Sequence, residues 1–243
     1  MLHLHGRKIK KYGLTLALLI CCANIFSMAQ SYFNLPDHDG KPYYFGITLG
    51  TNVARFQIEQ HTRFLLYDTV QVAEPVSSVG FALGLSATAR LTHRLEARFN
   101  PQLMFAEKNI FYQLKYPDPI DGTSITKKVE SVIFSFPFQT KFNSDRIGNF
   151  RVYMLGGVKA DIDLAANARA RRAEYLIKLE KIDYGVELGL GFNFYFQSFI
   201  FSPEIKISNG LKNIHSRDES LKYSNIIDRI QSRMIVFSIH LEG

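Results

Sequence analysis

The sequence predicts an all-β protein, an eight-stranded antiparallel up-and-down transmembrane β-barrel that follows a cleaved signal peptide. Three observations predict it. The N-terminus has the layout of an export signal, the rest of the chain alternates apolar and polar residues with a period of two, and its connections alternate between tight turns and long polar segments.

Residues 1–29 carry the first observation. Arg7, Lys8, Lys10 and Lys11 precede an apolar run from Leu14 to Phe26, and Ser27-Met28-Ala29 then places small residues where a signal peptidase reads them. Cleavage is expected between Ala29 and Gln30. The apolar run, about 13 residues, is shorter than the ~20 that a spanning helix requires. Acylation at Cys21 or Cys22 calls for a small residue before it, and Ile20 or Cys21 stands there. The expected organisation is a signal peptide over 1–29, a short periplasmic segment over 30–42 and a barrel over 43–243. Both cysteines fall in the signal, so the exported part has neither a disulfide framework nor a thiolate metal site.

The formal charge is +7 over 243 residues, from 29 Lys and Arg against 22 Asp and Glu. Without the four cations of the signal the balance is 25 against 22, and basic and acidic residues interleave. That pattern provides no clustered basic footprint, so nucleic acid is not expected as a partner. A 47% hydrophobic content excludes a disordered chain. No cofactor or metal is expected.

Each strand follows from the period of two. The first is marked by Phe45, Ile47, Leu49 and Val53, the second by Val79, Phe81, Leu83, Leu85 and Leu91, and the third by Leu95, Ala97, Phe99, Leu103 and Phe105. Val132, Phe134, Phe136, Phe138 and Phe142 mark the fourth, and Phe150, Val152, Met154 and Val158 the fifth. The sixth, residues 184–196, carries Tyr184, Val186, Leu188, Leu190, Phe192, Phe194 and Phe196 on one face and Gly185, Glu187, Gly189, Gly191, Asn193 and Tyr195 on the other. Phe199, Phe201, Ile205 and Ile207 mark the seventh, and Ile235, Phe237, Ile239 and Leu241 the eighth.

Tight turns are expected around Thr92-His93, Ser144–Gly148 and Gln197-Ser198, and longer polar segments over 57–76, 113–128, 163–178 and 210–229. Short turns on one side and long loops on the other describe an outer-membrane barrel with both termini in the periplasm. The faces opposite the Phe-rich ones carry Arg90, Glu96, Arg98, Lys159, Asp161, Glu187, Glu204 and Lys206, together with many glycines. Charges of both signs suit a small lumen filled by an internal salt-bridge network, with no diffusion pore. The alternative is an inside-out soluble barrel whose Phe face lines a ligand cavity. Tyr43, Tyr44, Phe111, Tyr112, Tyr195 and Phe196, near strand ends, are expected to form interfacial girdles in a chain without Trp.

A catalytic reading has two candidates, His215-Ser216 with Asp218 and Glu219, and Ser238 with His240. Sequence adjacency does not supply the nucleophile–base–orienter geometry, so no catalytic residue is assigned. Arg169, Arg171 and Arg172 in the third long segment could meet lipopolysaccharide.

Three stretches carry a family resemblance: Phe136–Leu164 (FPFQTKFNSDRIGNFRVYMLGGVKADIDL), Asp183–Leu211 (DYGVELGLGFNFYFQSFIFSPEIKISNGL) and the tail Tyr223–Glu242 with IIDRIQSRMIVFSIHLE. They resemble the PorT family, called SprT in gliding bacteria, over most of residues 43–243, with RVYMLGG and FSPEIKIS the most specific segments. The resemblance implies an outer-membrane component of the type IX secretion system, which exports proteins bearing a C-terminal sorting domain. It implies no enzymatic residues, and partners that are outer-membrane lipid, lipopolysaccharide and other secretion-system proteins, around a monomeric barrel. Two further readings are a generic small barrel of the OmpA or OmpX type with structural or adhesive loops, and a lipid-modifying enzyme.

Overall fold

In the computed structural model, which describes residues 33–61, 70–118, 122–166, 179–216 and 227–243, the period of two becomes ten antiparallel strand segments. They are β1 (Tyr43–Gln60), β2 (Val70–Val76), β3 (Ser78–Arg90), β4 (Leu95–Phe99), β5 (Gln102–Asp118), β6 (Gly122–Asn143), β7 (Phe150–Asp163), β8 (Ile182–Tyr195), β9 (Ile200–Gly210) and β10 (Ile227–Glu242). A short 3-10 helix, Pro36–Gly40, precedes them.

Ten segments make eight strands in the ring. β4 and β5 run in one register against both β3 and β6, Phe99 facing Phe138 and Gln102 facing Ser135. The ladder is interrupted between them where Pro101 and Pro137, which have no N–H to donate, come together across the pair. β2 and β3 form another single strand, broken near Ser77, where Val76 faces Asn109 after Phe81 faces Phe105 and the register slips by one. Neighbours in sequence pair in turn, and β1 closes the ring on β10, from Gly46 opposite Glu242 to Gln60 opposite Ile227.

The outward face carries an apolar belt. Phe45, Ile47 and Leu49 on β1, Phe81, Leu83 and Leu85 on β3, Leu188 and Leu190 on β8 and Ile235, Phe237 and Ile239 on β10 are all exposed. Glu187 on β8 and His240 and Glu242 on β10 are buried inside at the level of the belt. This is the facing a hydrocarbon layer requires, because the closed ring pairs backbone N–H and C=O groups between neighbouring strands and apolar side chains project outward. The inside-out alternative would need the opposite facing.

Three expectations are corrected. Residues 113–128 are not a loop but the two arms of a hairpin: β5 continues to Asp118 and β6 begins at Gly122, whose φ of 66° suits glycine. Of the six aromatics expected at interfaces, Tyr44, Tyr112 and Tyr195 point into the barrel and are almost fully buried, because adjacent residues on a strand cannot both face out. The lumen, finally, is not polar throughout. Beyond the belt, at the long-loop end, Phe56, Ile110, Tyr112, Leu114, Ile227 and Ile230 turn inward and form an apolar core, while Arg55, Gln57 and Glu59 face out. There the strands have left the hydrocarbon and follow the facing of a water-soluble barrel.

The belt fixes a test. Leu188→Arg, whose parent is 68% exposed near mid-belt, is expected to cost about 2–4 kcal/mol and to block membrane assembly, whereas Gln197→Arg in the β8–β9 turn costs about 0–1 kcal/mol. Heat-modifiable gel mobility reads both, and equal assembly of the two would overturn the facing.

Candidate functional site

Below the apolar core the inward faces of β3, β4 and β6–β10 bring charges of both signs together in the interior. The eight residues expected to line the lumen lie in four ion pairs: Arg90 with Glu96 at 3.4 Å, Arg98 with Glu204 at 2.6 Å, Lys206 with Glu187 at 3.3 Å, and Lys159 with Asp161 at 2.5 Å. Gln139 links two of these, accepting from Arg98 Nε at 2.8 Å and donating to Glu187 at 2.6 Å. Such pairing is what allows ions to be withdrawn from water, since a lone buried charge is costly.

Sequence reasoning missed several members. Lys141, fully buried, lies 3.7 Å from Glu96 and 3.9 Å from Glu242, with its ammonium 4.3 Å from the centre of the Tyr153 ring. The Tyr153 hydroxyl donates to Glu204 at 2.8 Å. Its ring lies over Gly191, its register partner, where a β-carbon would come within 2.3 Å of the ring, so only glycine leaves the tyrosine its place. Lys141 and Glu242 share the period-two phase of the residues that were singled out, so strand parity was the signal that could have found them.

The short-turn end is closed by the segment before β1, which the sequence marks only as a short periplasmic segment. Arg90 Nη1 donates to the carbonyls of His38 at 2.9 Å and Lys41 at 3.1 Å, and also to that of Asp39. Asp39 meets Arg146 at 3.0 Å and Arg151 at 3.5 Å, and the Arg146 guanidinium stacks 3.6 Å from the centre of the Tyr195 ring. Asn34 donates to the Tyr195 carbonyl and to Asn149. His38 is the centre of this cap. It is 2% exposed, its ring centroid is 4.7 Å from that of Tyr44, and neither ring nitrogen has a hydrogen-bond partner among the described residues. Burial, reinforced by Arg90 and Lys41 and opposed by Glu242 and Asp39, lowers its pKa from 6.5 to about 4.

Of the two catalytic candidates, Ser238 with His240 does not assemble a triad. His240 is completely buried, and both Ser238 and Glu204 approach its Nε2, each at 3.4 Å, while Nδ1 meets Thr48 at 2.9 Å. A nucleophile and an orienting acid must sit on opposite ring nitrogens, so this is a packed hydrogen-bond cluster. His215 is buried and its backbone N–H donates to Asn213 Oδ1 at 3.1 Å. Asp218, Glu219, Arg169, Arg171, Arg172 and the cleavage pair Ala29 and Gln30 lie outside the described residues.

A closed ring, an apolar outer belt and a filled lumen are the frame into which comparison with known proteins fits. Residues 28–216 match the outer membrane protein beta-barrel domain family. The chain belongs to that family. A search of curated sequences finds no match. Among solved structures, the outer membrane protein OprG from Pseudomonas aeruginosa is 13% identical, with a TM-score of 0.42, covering 81% of this chain and 94% of its own. Ail, the attachment invasion locus protein of Yersinia pestis, is 10% identical with a TM-score of 0.39, covering 84% of this chain and 100% of its own. The N-terminal barrel domain of P. aeruginosa OprF is 12% identical with a TM-score of 0.36, covering 81% and 97%. As an outer membrane protein beta-barrel domain, the chain is an outer-membrane protein.

Two outcomes follow from the network and the cap. Arg98→Met strands Glu204 in the lumen and is expected to destabilise the folded barrel by about 3–5 kcal/mol, with most of the loss recovered in Arg98→Met/Glu204→Met. Equilibrium unfolding in guanidinium measures both. For the cap, a folded-state pKa near 4 against 6.5 when exposed means that His38 supports docking fully above about pH 6.5, and that this support is lost as the pH falls toward 4. A spin label at Asp37 should be immobile at pH 7 and gain mobility near pH 4, and should lose this pH response in His38→Phe.

Proposed function

We propose that the chain is a non-enzymatic outer-membrane barrel that acts through contacts made at its ends and outer wall, as an accessory or assembly component of the type IX secretion machinery. The observation that carries the first half is the filled interior: paired charges occupy mid-barrel, the Asn34–Lys41 segment closes the short-turn mouth, and the apolar core around Phe56 and Ile110 closes the other. A barrel packed in this way offers cargo no path, and its interior offers a substrate no entry. What it can present is surface, including the β5–β6 hairpin that extends beyond the belt.

The secretion assignment rests on the resemblance of RVYMLGG, FSPEIKIS and the C-terminal strand to the PorT family. The orientation that goes with it puts both termini and the short turns in the periplasm and the long-loop end outside. A second reading, a generic small barrel with structural or adhesive loops, draws on the family match and the projecting hairpin and needs no secretion partner.

Deleting the gene separates the two. Retention in the periplasm of cargo bearing C-terminal sorting domains, reversed on restoring the gene, is the expected result, whereas normal surface delivery overturns the secretion role and leaves the generic barrel. Orientation is read independently by Ser124→Cys, on the exposed hairpin of a mature chain otherwise without cysteine. A membrane-impermeant maleimide should label it on intact cells, and protection of this position overturns the orientation.

A further inference from the structure

Where β1 and β10 leave the belt, two arginines stand side by side on the outer wall. Arg55 and Arg233 face each other directly in register, one outward position beyond Val53 and Ile235, and both are exposed. Like charges directly opposed on a sheet repel. Among the described residues neither guanidinium has a carboxylate within ion-pair distance: the nearest outward acid along β1, Glu59, pairs with Arg229 at 3.8 Å. Arg233 is held in place through Nε, which donates at 3.0 Å to Oδ1 of Asn209, its register partner on β9. Two exposed guanidiniums side by side at the edge of an apolar belt, one of them held by Asn209, form a fork suited to a phosphate.

The wall below them is not smooth. A trough of about 600 Å³ crosses β8, β9, β10 and β1, lined by Leu49, Thr51, Leu190, Ile205, Phe237 and Ile239. Thr51 and Phe237 are register partners four residues below Arg55 and Arg233 on the same two strands, so the trough begins about 13 Å beneath the fork. That is the arrangement of a phosphorylated amphiphile, headgroup phosphate at the belt edge and acyl chains below. Elsewhere on the rim the charge is reversed: on β5 and β6, Glu107 and Glu130 face each other in register at the edge of the belt.

We infer that Arg55 and Arg233, with the trough beneath them, form a binding site on the outer wall for the phosphorylated glucosamine head and acyl chains of lipid A, the lipid of lipopolysaccharide. The inference rests on the orientation proposed above, which places this edge in the outer leaflet. The two arginines grip the phosphate, Asn209 orients Arg233, and the trough gives the chains a seat below a cationic edge, whereas the smaller groove on β3, β5 and β6 lies below the acidic pair Glu107 and Glu130. The anion also relieves the repulsion between the opposed guanidiniums.

The test uses the full folded chain in detergent micelles, with native mass spectrometry of retained lipid and gel mobility as the check that the barrel is folded. Phosphorylated lipid A should be retained about ten-fold or more over its dephosphorylated form, consistent with a pair of charge-assisted hydrogen bonds. Arg55→Gln/Arg233→Gln should reduce retention to the dephosphorylated level, and Glu107→Gln/Glu130→Gln should leave it unchanged. If the double arginine variant does not fold, Arg55→Gln alone should weaken retention several-fold. Equal retention of the two lipids by the wild-type chain, or unchanged retention in the folded arginine variant, overturns the site. Because binding is measured in micelles, its failure is distinct from failure of the orientation, which the Ser124→Cys label reports.

Discussion

Everything in this molecule depends on the ring of backbone hydrogen bonds being closed. In hydrocarbon there is no water to satisfy a loose N–H or C=O, and an open sheet would leave two whole edges of them. The pairing of β1 with β10 removes both edges. Even the weakest place in the ladder keeps its acceptors occupied: where Pro101 and Pro137 interrupt donation, their carbonyls still accept from Leu85 at 3.0 Å and Asn100 at 3.2 Å. Once closure is fixed, strand parity leaves each side chain only two destinations, and the apolar belt and the interior follow.

Closure creates a second problem, because a ring of eight strands encloses a narrow space that must be filled. The chain fills it in two chemistries. At mid-barrel, ions balance one another through shared partners such as Gln139 and Tyr153. Toward the long-loop end the filling becomes aliphatic and aromatic, as the surroundings of the strands change from lipid to water. The N-terminal segment then folds over the short-turn mouth, where Arg90 couples the two regions by pairing with Glu96 inside and holding the cap's carbonyls outside.

Much of this was legible in the sequence, for physical reasons that also mark its limit. The period of two identifies strands and faces, so the outward Phe and Leu positions and the eight inward charges could be named, and the short turns located. Partnership could not be read, because register decides which inward residues meet: nothing local connects Arg98 to Glu204, more than a hundred residues away. The same parity was misread for Tyr44, Tyr112 and Tyr195, where aromatic type was allowed to outweigh phase. The cap was invisible because His38 and Asp39 gain their meaning only from Arg90, Arg146 and Arg151, which reach them from distant strands. The hairpin over 113–128 reads as a loop because its residues are polar, although polar residues are what a strand carries once it stands in water.

The exchange of faces at the edge of the belt also governs how this chain can drift in sequence. On β1, apolar residues occupy odd positions from Phe45 to Val53 and even positions from Ala54 to Ile58. A substitution to lysine that is ruinous at Leu49 is harmless at Gln57, and one that is harmful at Phe56 has its counterpart in the polar positions Thr48 and Asn52 below. Selection on a single strand therefore runs in two opposite phases, joined within two residues. Moving the strand by one residue would violate both phases at once, so register and membrane depth are held by the same set of side chains.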